Sequence, residues 1–127
     1  MMELNAHIEV DKSAPESVVL HIQGRLYMAT LPALEEQFDA VLPQCANRKV
    51  VLDLSGTTYV SSNCWSVFLI NARRVKSVGG ILLLAGMKGE VLNAYELLEL
   101  HLFIQKLPDL SAALTLSSLR PAPKVKA

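Results

Sequence analysis

The sequence predicts an α/β fold: one domain with a mixed sheet of four to five strands backed by about four helices. Three observations carry that expectation. Residues 49–54, KVVLDL, and 81–85, ILLLA, are short, nearly continuous apolar runs, the pattern of central strands covered on both faces. Between them Trp65, Phe68, Leu69, Ala72 and Val75 recur at helical spacing. Strand and helix signals then alternate in the order β-β-α-β-α-β-α-β-α, which favours parallel pairing with right-handed helical crossovers in the later part of the chain.

Each element has its own signal. Residues 4–10 alternate, with Leu4, Ala6, Ile8 and Val10 on one side and Asn5, His7 and Glu9 on the other, as in a half-buried strand. The turn-rich DKSAPES leads to VVLHIQ, whose Val18, Leu20 and Ile22 face inward and which Gly24 is expected to end. These two strands read as a hairpin. Thr30 precedes a helix carrying Leu31, Leu34, Phe38, Val41 and Leu42, with Pro32 in the first turn, where its missing N–H costs nothing.

After the strand at 49–54, Ser55-Gly56 is expected to turn the chain toward a helix that starts near Ser62 and closes at Gly79-Gly80. A third helix is read from Val91, Ala94, Tyr95 and Leu98, and an edge strand from Phe103 to Lys106. Asp109 caps a last helix with Leu110, Ala113 and Leu114. The ending RPAPKVKA has two prolines and no apolar period, so the domain is drawn at residues 1–119 and residues 120–127 as a flexible tail.

Composition excludes several classes of function. A chain of 127 residues that is 51% hydrophobic can bury one core and has little room for a second. Its 12 basic and 12 acidic residues cancel, so no charge field points to nucleic acid or to an anionic membrane. The start MMELNAHIEV lacks a signal-peptide pattern, and no apolar run nears the roughly 20 residues that span a bilayer. A cytoplasmic protein is expected, with Cys45 and Cys64 reduced. No CxxC is present, and His7, His21 and His101 have no metal-ligand spacing, so neither metal nor cofactor is expected.

The chemistry concentrates where the strand near Leu54 gives way to the helix near Ser62, through SGTTYVS, because strand-to-helix junctions build sites in α/β folds. The first turn of a helix carries unpaired N–H groups and partial positive charge. Ser62 there reads either as the helix N-cap or as a phosphoacceptor whose phosphate that turn would stabilise. Cys64 reads as a small buried hydrophobe or as a thiol activated by the helix start. Trp65 is core or a partner anchor. Asp53 belongs to the site or bonds the turn at Ser55-Gly56. AGMKGE lacks the G-x-x-x-x-G-K-[ST] pattern and reads as a turn. Around Ser62 no G-x-S-x-G and no acid-histidine pair are evident, which places a serine or thiol enzyme last among the readings.

The stretch LDLSGTTYVSSNCWSVFL resembles the Asp-Leu-Ser-Gly-Val-x-Phe-Ile-Asp-Ser-Ser-Gly-Leu motif of the STAS domain of bacterial anti-sigma factor antagonists. Upstream, IQGRLYMATLPALEEQF resembles the family's Gly-Glu-Leu-Asp loop and first helix. Downstream, VKSVGGILLLAG and VLNAYELLELHLFIQKLPDLSAAL resemble its Gly-Gly, strand, helix, edge strand and closing helix, so that the likeness covers nearly all of residues 4–118.

The resemblance implies a regulator that acts by protein-protein binding and is not an enzyme. Its expected partner is an anti-sigma factor that is also a serine kinase, and its phosphoacceptor falls on Ser62. The surrounding interface falls on Arg25, Tyr27, Ser61, Asn63 and Cys64. The chain departs from the motif there: Ser61 stands for the family's aspartate, Asn63 for its second serine, Cys64 for its glycine, Tyr27 for a further acid and Arg25 for a glutamate. Two carboxylates, at Ser61 and Tyr27, are thus absent beside Ser62, and at Arg25 a cation replaces a third, which suits an acidic partner. A second expectation within binding modules is a non-phosphorylated subunit of a stressosome or of a lipid-transport ABC assembly, and the resemblance leaves room for a homodimer.

Overall fold

The computed structural model describes residues 6–11 and 17–116. Leu4, most of the DKSAPES turn and the tail at 120–127 lie outside the described residues. Five strands, β1 (Ala6–Asp11), β2 (Ser17–Leu26), β3 (Lys49–Val60), β4 (Ile81–Ala85) and β5 (Gln105–Leu107), form one sheet in sequence order. β1 is antiparallel to β2, as the hairpin pattern predicts, and the remaining pairs are parallel. Four helices connect or follow them: α1 (Leu31–Val41), α2 (Ser62–Ser77), α3 (Gly89–Leu97) and α4 (Leu110–Thr115).

The alternation of side chains along the strands divides the core between two faces. Leu20, Leu52, Leu54 and Leu84 are fully buried with Leu34, Phe38, Phe68 and Tyr95 of α1, α2 and α3. On the other face Val19, Val51, Leu83 and Ala85 pack with Ala113, Leu110 and Leu114 of α4. One short helix therefore covers what the apolar runs predicted would be covered, and Asp53, the polar exception in KVVLDL, lies on that same sheet face. Lys49 is only 4% exposed. Its Nζ donates to the carbonyls of Ala113, Leu114 and Leu116 at 2.8–3.0 Å. The buried ammonium is thereby satisfied and pins the end of α4 to the sheet.

Several boundaries differ from the expectation, each for a local reason. Gly24 does not end β2; with φ 98° it bends the strand, and the pairing with β3 shifts register around it before resuming at Arg25↔Tyr59 and Leu26↔Val60. For the same reason Ser55-Gly56 is not a turn: both lie inside β3, held by the extended β2. Gly56 faces the Gln23 side chain so closely that an added Cβ would stand 2.9 Å from its Cγ. Thr30 precedes α1 but makes no cap bond to it. Its Oγ1 instead accepts from the Tyr27 N–H at 2.9 Å and lies 3.2 Å from the Arg25 and Tyr27 carbonyls, fastening the β2–α1 loop. The edge strand starts at Gln105, two residues late, and Phe103 is exposed. Leu98 shares the periodicity of α3 yet is its C-cap and 51% exposed, at the point where the chain leaves the helix.

Candidate functional site

β3 and β2 end side by side, and the loops that leave them meet at the start of α2. Ser61 adopts an extended backbone, φ −76° and ψ 165°, and its Oγ accepts from the Cys64 N–H at 3.3 Å. Ser61 is therefore the N-cap, one residue before the expected Ser62, because the chain becomes helical only after it. Its own N–H bonds the Leu26 carbonyl at 2.9 Å, which ties the junction to β2. Ser62 and Asn63 begin the helix and are exposed. The amide groups of such a first turn lack intrahelical acceptors and favour negative charge placed on them.

Losing this cap sets a first prediction. Ser61→Ala is expected to cost about 0.5 to 2 kcal/mol, whereas Ser62→Ala stays within about 0.5 kcal/mol. Urea denaturation of both variants checks the order, and a larger loss for Ser62→Ala would contradict it.

Cys64 is fully buried, and burial pushes its thiol above the ordinary value, partly offset by hydrogen bonding to Ser61. The helix start does not activate it; it behaves as a small hydrophobe beneath the surface. Its Sγ lies 3.9 Å from the Tyr27 carbonyl, so the β2–α1 loop rests on the first turn of α2. Arg25 and Tyr27 thereby lie at the same end of the sheet as Ser61, Ser62 and Asn63. The Arg25 guanidinium lies 5.5 Å from the Tyr27 ring centroid and 5.0 Å from that of Tyr59. Two cation–π contacts fix it, so a partner's carboxylate would meet a preorganised cation. Tyr59 was not legible in the sequence: its pairing with Arg25 follows only once β3 is known to run past Gly56. Trp65, 3% exposed, packs edge-on against Phe68 with centroids 5.5 Å apart and is core.

Asp53 is apart from this site, on the sheet face opposite α2. It accepts from the Ser55 N–H at 3.1 Å and from the Ser55 hydroxyl at 2.8 Å, and its other oxygen is 2.8 Å from His21 Nδ1. The bond to Ser55 matches the expectation, although it spans a strand and not a turn. Burial alone would raise the Asp53 pKa, but the bonds from Ser55 and His21 together outweigh it and leave the carboxyl below its ordinary value. A lowered folded value stabilises the fold above the unfolded pKa, near 3.9, and that contribution vanishes as the pH falls through the folded value. Asp53→Asn is expected to weaken the protein at neutral pH and to flatten its loss of stability below about pH 4. Denaturation midpoints across that range check this; parallel acid limbs would contradict it.

Among the described residues no group of three or more His, Cys, Asp or Glu is placed to hold a metal, and no helix is long and apolar enough to cross a membrane. The family model of the STAS domain matches residues 6–120. The chain belongs to the STAS domain family. No curated protein sequence matches it significantly. Similar solved structures share the fold at low identity. An anti-sigma factor antagonist from Mycobacterium paratuberculosis is 22% identical with TM-score 0.77, covering 87% of this chain and 92% of its own. An anti-sigma-factor antagonist (STAS) domain protein from Planctomyces limnophilus is 19% identical with TM-score 0.73, covering 84% and 93%. The Bacillus cell fate determinant SpoIIAA in its phosphorylated form is 14% identical with TM-score 0.64, covering 84% and 96%. The STAS fold, with its strand-to-helix junction, is thus the frame that presents Ser62.

Proposed function

We infer that this STAS domain is a cytoplasmic regulatory module that binds an anti-sigma factor of the serine-kinase type, and that phosphorylation of Ser62 releases it. The observation that carries this reading is the exposed Ser62 on the first turn of α2, at the end of the sheet where Arg25 is held by Tyr27 and Tyr59. The docking surface consists of Arg25, Tyr27, Tyr59, Ser61, Ser62 and Asn63, with Cys64 supporting them from below. A phosphate of charge about −1.5 to −2 is favourable on a helix N-terminus yet repels a partner's acidic group, so binding switches without a change of fold. The structurally similar SpoIIAA is known in a phosphorylated form, which supports the same chemistry here. No catalysis is assigned to the domain: the buried Cys64 and the capping Ser61 serve the structure.

A second reading is favoured by one feature of the site. Ser61, Asn63 and Tyr27 replace residues that include two carboxylates of the family motif, which suits a constitutive, non-phosphorylated subunit of a stressosome or lipid-transport ABC assembly. Affinity capture from the source cells, with mass spectrometry of the co-purifying proteins and of the peptide containing Ser61 and Ser62, separates the two. A serine-kinase anti-sigma factor together with phosphate on Ser62 supports the first; transporter or stressosome subunits with an unmodified peptide support the second. Hydrolysis of model esters that disappears in Ser62→Ala or Cys64→Ala would overturn both.

A further inference from the structure

Of the eight large hydrophobic side chains that are exposed among the described residues, four fall between Leu97 and Phe103. Leu97 is 83% exposed, Leu98 51%, Leu102 63% and Phe103 66%. Four such side chains amount to an apolar area on the order of several hundred Å², the size at which patches on monomers tend to be functional. The backbone that displays them is strained. Glu99 takes φ 55° and ψ 38°, a left-handed conformation that glycine or asparagine usually fills, and its N–H bonds the Glu96 carbonyl at 3.1 Å. That turn ends α3, sends Leu100 into the core at 4% exposure, and leaves the leucine pair before it and the Leu102-Phe103 pair after it facing solvent.

The charges along this segment, which apart from His101 are acidic, favour one kind of occupant. From residue 89 to 103 the chain carries Glu90, Glu96 and Glu99 and no lysine or arginine; the nearest cations along it are Lys88 and Lys106. Glu96 and Glu99 are exposed among the hydrophobic residues. A second copy paired through the same patch would set these carboxylates against each other. An anionic membrane surface would repel them. A helix with an apolar face and lysine or arginine along its edges fits both features. The patch also lies away from Ser62: α2 starts where β3 ends, whereas α3 leaves the end of β4 and runs back, so its C-terminus is at the opposite end of the parallel strands.

We propose that Leu97, Leu98, Leu102 and Phe103, rimmed by Glu96 and Glu99, form a second docking surface that takes a basic-edged amphipathic helix of another protein. This second surface does not depend on the reading of Ser62; together with that reading it gives a domain that takes two partners, one at each end of its sheet. The test titrates the full chain, by fluorescence anisotropy, against two labelled helical peptides that share one leucine face and differ only in having lysine or glutamate along its edges. The lysine-edged peptide is expected to bind at least about tenfold more tightly. Leu97→Ser with Phe103→Ser should weaken it by about tenfold or more, and Glu96→Lys with Glu99→Lys should reverse the preference. All four positions are exposed, and circular dichroism confirms that the variants fold. Equal binding of the peptides, binding of neither, or binding that the serine pair leaves unchanged would overturn the proposal. So would a dimer that forms with rising concentration and is abolished by the serine pair, or adsorption to phosphatidylserine-containing vesicles through the same residues.

Discussion

Leu52→Ala is expected to lower the unfolding free energy by about 2 to 5 kcal/mol. Leu52 has no exposed surface and lies in β3, the third of five strands. Its register neighbours are Leu20 on β2 and Leu84 on β4, both fully buried on the same face. Truncation removes apolar surface from the centre of that row, and a sheet bonded on both sides cannot collapse into the space left behind. Domains of this kind are stable by only about 5 to 15 kcal/mol, so the loss is a large fraction of the total. Urea denaturation measures it directly. A loss below about 1 kcal/mol, the cost of trimming a site that relaxes fully, would show that β3 does not occupy the middle of the core.

The fold was legible where one physical signal acted alone. KVVLDL and ILLLA could only be covered strands, and Gly79-Gly80 could only close a helix: Gly79 has φ 84°, and a Cβ on Gly80 would stand 2.6 Å from the Cys45 carbonyl oxygen. It was misread where a tertiary partner overrides local preference. Ser55-Gly56-Thr57-Thr58 has the composition of a turn, yet β2 supplies hydrogen-bonding partners that keep it extended, and Thr57 is buried with its hydroxyl donating to the Ile22 carbonyl at 2.7 Å. Leu98 follows Tyr95 at helical spacing, but it is the C-cap of α3, and the left-handed Glu99 turns the chain away directly after it. At the site, Ser61 and Ser62 are equally good caps by residue type, and only the backbone angles of Ser61 separate capping from display. Tyr59 required the register of two strands, which no single stretch of sequence contains.

Ser62→Asp is expected to leave the domain folded and to weaken its binding to the partner. The acid replaces an exposed side chain on the first turn of α2, where the helix dipole favours negative charge, so the monomer tolerates it. In the complex the same carboxylate must shed its hydration and face groups arranged for a hydroxyl. That costs about 2 to 5 kcal/mol where the contact is dry, or a rise in Kd of about thirtyfold or more. Ser62→Ala adds no charge and removes only a hydroxyl that does not cap the helix, so it should bind like the wild type while accepting no phosphate.

The central claim is that one exposed serine at the head of α2 gates a protein-binding surface. Calorimetric titration of the captured partner against the wild type, Ser62→Ala and Ser62→Asp, with circular dichroism of each to confirm the fold, tests it most directly. The account predicts equal affinities for the wild type and Ser62→Ala and a fall of about thirtyfold or more for Ser62→Asp; three equal affinities would contradict it.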